Sequence, residues 1–139
     1  MIEQCNDVVS HKIISRSENN RTFKINNPSQ LSVNVVTVDG CYIQNGTKCD
    51  YLFEVLQKDV VLQALYVELK GKDIFHAIEQ LENTIKHCKT LHQNIQKEAY
   101  IVASRIPKAN TSSQNIKKKF KTKTKIQLFI DTKQKEVTI

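Results

Sequence analysis

The chain predicts a mixed α+β domain in which a central, mostly antiparallel-to-mixed β-sheet is flanked by helices. Three observations carry this. Between Leu31 and Lys70, apolar and polar residues alternate at period two, broken by turn signals at Asp39-Gly40, Asn45-Gly46 and Gln57-Lys58-Asp59. From Ile74 the period switches to that of an amphipathic helix. A second apolar run, from Tyr100 to Ser104, then closes a β-α-β step.

In chain order, residues 1–30 read as a short helix or irregular lead-in followed by a strand pair. The β-branched pair Ile13-Ile14 and the alternating Phe23-Lys24-Ile25 flank the polar turn Arg16-Ser17-Glu18-Asn19-Asn20-Arg21. Pro28 breaks the chain. Leu31 to Val38 is a strand, with Val33 and Val35 on one face and Val36 and Val38 on the other. Cys41-Tyr42-Ile43 is expected to run back from the Asp39-Gly40 turn. Thr47 to Leu56 makes the next strand, and Val60 to Lys70 the one after. Asp73 is a suitable N-cap for a helix from about Ile74 to about Leu91 or beyond; its stripe is Ile74, Ala77, Ile78, Leu81, Ile85 and Cys88. Residues 109–115 read as a loop and 117–125 as a lysine-rich run, partly strand. Ile126 to Ile130 is a strand, followed by a polar tail or turn.

At 139 residues the chain is long enough for one cored domain spanning 1–139, and no linker divides it. A net charge of +7 favours a polyanionic partner. No apolar run is long enough to span a bilayer, and residues 1–7 lack the basic flank of a signal peptide, so a cytoplasmic protein with no membrane partner is expected. Cys5, Cys41, Cys49 and Cys88 form no C-x-x-C pair and read as free thiols. His87, Cys88 and His92 lack a second ligand pair at zinc spacing.

The stretch Tyr66-Val67-Glu68-Leu69-Lys70-Gly71-Lys72-Asp73 sets an acid and a base two residues apart on one strand face, in a run otherwise suited to a sheet interior. Buried charges need partners or a metal. Asp50, on the preceding strand, comes beside Glu68 if the two strands pair as a hairpin. Two adjacent carboxylates suit Mg²⁺ or Mn²⁺, with the Leu69 backbone carbonyl as a further oxygen ligand and Lys70 as a cation beside a phosphate.

Asp50-x17-Glu68-Leu69-Lys70 resembles the signature of the PD-(D/E)xK nuclease superfamily, which includes restriction endonucleases and archaeal-type Holliday junction resolvases. Lys48-Cys49-Asp50-Tyr51-Leu52, Val67-Glu68-Leu69-Lys70-Gly71 and Ala77-Ile78-Glu79-Gln80-Leu81 are similar to the motif context of small members, over roughly residues 31–105. The resemblance implies a restriction-endonuclease-like fold and metal-dependent phosphodiester cleavage, usually of DNA. Asp50 and Glu68 would hold the metal, Lys70 would be the catalytic lysine, and Gln80 would occupy a polar helix position near the site. Cys49 stands where many members have proline. A further N-terminal glutamate on a helix is absent, since neither Glu3 nor Glu18 lies on one.

Each feature has a plainer counterpart. A lone E-x-K is commonly a solvated cross-strand pair, and His76, His87 and His92 read as polar-face residues. Glu54 shares a face with Asp50 but lies four residues on. Lys117, Lys118, Lys119, Lys121, Lys123 and Lys125 form either a solvated run or a phosphate-contacting surface. The alternatives to a nuclease are a non-cleaving nucleic-acid-binding module and a structural or interaction protein. A homodimer would bring two sites to two strands.

Overall fold

The helical stripe from Ile74 becomes a helix, and in all nine strands and two helices form among the residues the computed structural model describes: 1–71, 73–105 and 113–139, without the Lys70 side chain. In order they are β1 (Asn6–Val9), β2 (Ile13–Glu18), β3 (Arg21–Asn26), β4 (Ser32–Thr37), β5 (Tyr51–Gln57), β6 (Val60–Gly71), α1 (Ile74–His87), β7 (Gln96–Ala103), α2 (Ser113–Thr124), β8 (Gln127–Thr132) and β9 (Gln134–Thr138).

The larger sheet has the order β1-β4-β5-β6-β7-β8. Its first half is antiparallel and β6-β7-β8 are parallel, so the β5-β6 hairpin and the β6-α1-β7 step form as expected, while β4 pairs directly with β5 without the expected return strand between them. Lys58 and Asp59 take positive φ (50° and 65°) in the tight turn between β5 and β6. The smaller sheet, β2-β3-β9, contains the expected hairpin about Asn19-Asn20.

Alternation along the strands divides the interior into two cores. Val36, Leu52, Tyr66 and Ile101 pack with Ala77 and Leu81 of α1 and with Ile116 and Phe120 of α2. Val35, Phe53, Leu65, Val67, Leu69 and Tyr100 pack with Phe23 and Ile25 of the smaller sheet. Phe23 anchors the second core, with its ring centroid 5.4 Å from Phe53 and 4.9 Å from Tyr100. The helices therefore cover one face of the large sheet and β2-β3-β9 the other, rather than helices flanking both.

Several local expectations change. The lead-in contains β1, paired on β4. Cys41-Tyr42-Ile43 forms no return strand, only a bridge between Asp39 and Ile43, because Cys41 is disulfide-bonded to Cys5. Two of the expected free thiols are thus joined. The pairing of Asn6 with Val36 and the bond from Thr37 N to Cys5 O (2.9 Å) bring the two cysteines together from 36 residues apart. Helix α1 stops at Cys88, and β7 begins earlier than expected, at Gln96.

The lysine run is a helix because Ile116 and Phe120, four residues apart, bury on the sheet; Lys125 ends it at φ 65°. The C-terminal tail becomes β9, parallel to β3. Among the described residues no helix is long and apolar enough to cross a membrane.

Candidate functional site

The β5–β6 register ends with Tyr51 paired to Val67, and Asp50 is the residue just before β5. Asp50 N donates to Val67 O at 3.2 Å, one residue out of that register, and Asp50 Oδ2 accepts from Leu69 N, so Asp50 lies against the Val67–Leu69 stretch of β6. Alternation from Tyr66 carries Glu68 onto the face covered by α1, and both carboxylates are buried. They are 2% and 0% exposed. Burial pushes the Cys49 thiol up; a hydrogen bond with Thr84 opposes this, and the charges of Glu68 and Asp50 push it further up. Cys88 is likewise raised, to about 12, chiefly by burial. Neither thiol is a thiolate nucleophile or ligand at neutral pH.

At this point the β6–β7 ladder is broken. Glu68 pairs with Ile101 and Gly71 with Ala103, so β6 carries one extra residue in a bulge. Both backbone groups of Leu69, inside the bulge, go to side chains from other strands. Its N–H donates to Asp50 Oδ2 at 2.8 Å, and its carbonyl accepts from Arg21 Nη1 at 3.1 Å. The second Arg21 nitrogen, Nη2, donates to Ser104 Oγ, just beyond β7. Arg21 belongs to the inward row Arg21, Phe23, Ile25 of β3 and is 8% exposed. That row was visible in the sequence as alternation, but Arg21 reads there as part of a polar turn.

Helix α1 grips the segment that leads into Asp50. Gln80 Nε2 donates to Lys48 O at 3.0 Å, and Thr84 Oγ1 accepts from Cys49 N at 2.9 Å. Gln80 is thus placed beside the Asp50 segment, with its amide on backbone. The Lys70 backbone belongs to β6, and its side chain lies outside the described residues. The bulge also interrupts the alternation from which a shared face for Glu68 and Lys70 was expected.

A second buried polar cluster surrounds Glu54, whose shared face with Asp50 the sequence indicated but whose partners it did not. Glu54 accepts from Ile2 N and Asn34 Nδ2, each at 2.8 Å, through Oε1, and it meets His92 Nε2 at 2.6 Å through Oε2. His92 Nδ1 meets the Tyr66 hydroxyl. With Tyr66 donating, one neutral imidazole tautomer satisfies both contacts. Burial pushes the Glu54 carboxyl up, but the bonds from His92, Ile2 N and Asn34 outweigh it, and the net shift is downward. The available signal was Glu54 standing between Leu52 and Leu56 on one face; nothing local pointed to His92, which lies beyond the helix rather than on it.

Helix α2 turns Lys118, Lys119, Lys121 and Lys123 outward, with Lys117 half-buried and Lys125 exposed just past its end. Lys117, Lys118 and Lys121 line a cleft of about 500 Å³ with Gln114 and Gln127. Lys123 pairs with Glu82 of α1 at 2.5 Å.

Among the described residues no three His, Cys, Asp or Glu side chains converge as a metal cage. Asp50, Glu68 and the Leu69 carbonyl are an all-oxygen donor set, which suits Mg²⁺ or Mn²⁺ completed by water. Comparison with protein-family models, curated proteins and solved structures gives no match.

Proposed function

We propose that the protein is a metal-dependent nuclease that hydrolyses phosphodiester bonds of nucleic acid, most naturally DNA, on a restriction-endonuclease-like plan. The observation that carries this reading is the burial of Asp50 and Glu68 beside the bulge where β6 leaves the sheet for α1, with Asp50 bound to the N–H of Leu69, the residue after Glu68. Asp50 and Glu68 would hold Mg²⁺ or Mn²⁺ with water; the Leu69 carbonyl, the further ligand expected from the sequence, already accepts from Arg21 at 3.1 Å. When bound, such an ion lowers the pKa of a coordinated water and offsets charge on the reacting phosphate. Asp50 also keeps Leu69 in place, Gln80 and Thr84 hold the strand that carries Asp50, and Lys70 supplies the cation beside the phosphate.

Lys117, Lys118, Lys119, Lys121, Lys123 and Lys125 would hold the nucleic-acid backbone. The pairs Lys117–Lys121 and Lys119–Lys123 are like charges at i,i+4, which disfavour a helix until an anion screens them. The same helix supports the second reading, a binding module that does not cut. We place the activity in the cytoplasm with its substrate and without a membrane partner, and a homodimer would deliver two cuts to a duplex. The Cys5–Cys41 disulfide counts against the cytoplasm, where thiols are kept reduced.

The test is incubation with supercoiled plasmid, linear duplex, single strands and a branched junction, with Mg²⁺, Mn²⁺ or chelator. Metal-dependent cutting that disappears in Asp50→Asn, Glu68→Gln and Lys70→Ala is expected, with melting curves to show that the variants fold. Binding without cutting under every metal supports the second reading. In that case replacing Lys117, Lys118 and Lys121 by Gln should flatten the dependence of log affinity on log salt by about 3 × 0.9 on a duplex.

A further inference from the structure

We infer that Arg21 is a positioning residue for the candidate site: its guanidinium latches the Leu69 carbonyl inside the β6 bulge and fixes the backbone of the Glu68-Leu69-Lys70 segment against Asp50. This rests on the nuclease reading for its catalytic consequence, but the latch itself is read from the geometry.

A bulge leaves backbone groups without ladder partners, and a buried carbonyl without a donor is costly. Here the Leu69 N–H is taken by Asp50 and the Leu69 carbonyl by Arg21. An anion therefore sits at the donor and a cation at the acceptor of one residue, each favourable in sign. The third contact, to Ser104 Oγ, ties the same guanidinium to the end of β7. One side chain from the smaller sheet thus joins β3, β6 and β7 where the large sheet's pairing is irregular.

Stability alone explains this arginine poorly. Burying a guanidinium carries a desolvation cost of several kcal/mol unless the charge is compensated. Among the described residues Arg21 has no carboxylate at ion-pair distance, and its Nε has no acceptor. Its contacts are a neutral carbonyl and a hydroxyl. A neutral side chain that filled the same space would avoid that cost, and would leave the Leu69 carbonyl unheld. What the arginine contributes is the direction of that carbonyl, and with it the orientation of the residues on either side.

The experiment compares wild type with Arg21→Met, Arg21→Lys, Ser104→Ala and the control Arg16→Met. Manganese binding by calorimetry, and kcat and KM on the best substrate, are measured well below each variant's melting temperature. Arg21→Met should weaken Mn²⁺ binding or lower kcat by about 10- to 100-fold with KM little changed, and Arg21→Lys should recover part of it. Arg16→Met should match wild type. Equal metal affinity and equal kcat in Arg21→Met would overturn the proposal. If Arg21→Met does not fold, Arg21→Lys and Ser104→Ala decide it by the same readouts, and unchanged values in both would overturn it. Wild type that neither binds Mn²⁺ nor cuts removes the nuclease reading instead. The latch is then judged by amide hydrogen exchange: faster exchange at Leu69 and Gly71 in the Arg21 variants, with β4 unchanged, supports it, and unchanged exchange overturns it.

Discussion

Asp50 and Glu54 are two buried carboxylates four residues apart on one face of the large sheet, and they are held in different ways. Glu54 lies within β5, paired with Asn34 of β4 and Ala64 of β6, one residue before a register shift at Val55/Leu56. Its oxygens are met by His92, by Asn34 and by the amide of Ile2, and Tyr66 closes the far side of the imidazole. Asp50 lies at the end of the strand, opposite a bulge, and one of its oxygens holds a backbone N–H that the broken ladder released. Glu54 is closed by partners on both oxygens, two side chains and one backbone amide from distant segments. Asp50 holds a backbone N–H of the bulge through one oxygen, beside a second acid. The closed cluster reads as structure and the bulged one as the candidate for chemistry.

The comparison breaks most visibly at Glu54. Glu54→Ala strands His92, Asn34 and the Ile2 amide in the core and should lose about 3–5 kcal/mol of stability, measured by urea unfolding. Asp50→Asn keeps an oxygen for the Leu69 N–H and should cost only about 1–2 kcal/mol in the same measurement. Equal losses at the two positions would erase the distinction.

The disulfide comes next. It fastens the segment carrying Ile2 to the loop before Asp50, so it bears on both clusters. Cys5→Ser with Cys41→Ser should lower stability by about 2–4 kcal/mol, and wild type in dithiothreitol should match that variant. Mass analysis of alkylated protein after non-reducing lysis would report whether the bond forms in the cell.

Acid sharpens the contrast further. The folded Glu54 carboxyl titrates below its ordinary value of 4.5. The unfolded chain therefore binds the proton first, and Glu54's contribution is present above that value and lost as pH falls through the lower folded one. Urea midpoints from about pH 6 to about pH 3 should fall more steeply for wild type than for Glu54→Gln, so that the gap between them narrows in acid. The smallest effect is expected at Thr84, whose hydroxyl bonds Cys49 N and Gln80 O. Thr84→Val should cost about 1 kcal/mol by thermal unfolding.

Local pattern made much of the fold legible. The β5–β6 hairpin, the β2–β3 hairpin, the Asp73 cap and the buried stripe of α1 follow from alternation, turn residues and helical spacing. Elements whose type depends on a distant partner were misread. β1 needs β4, β9 needs β3, and α2 is a helix because Ile116 and Phe120 find the sheet. In the site, the nearness of Asp50 to the Glu68 segment was legible because β5 and β6 form a hairpin, although the bond at Asp50 falls out of the hairpin's register. His92, 38 residues from Glu54, and Arg21, 48 from Leu69, were not.

By itself, then, the sequence determined which residues alternate, where the turns fall, and that Asp50 would lie near the Glu68 segment across one hairpin, because these are properties of short-range backbone geometry. Only the tertiary structure decided that the smaller sheet covers the second face, that Cys5 joins Cys41, and that Arg21 and Asp50 share Leu69. Those contacts are between segments far apart in the chain, and they form only once the two sheets have packed and the bulge has released the groups they satisfy.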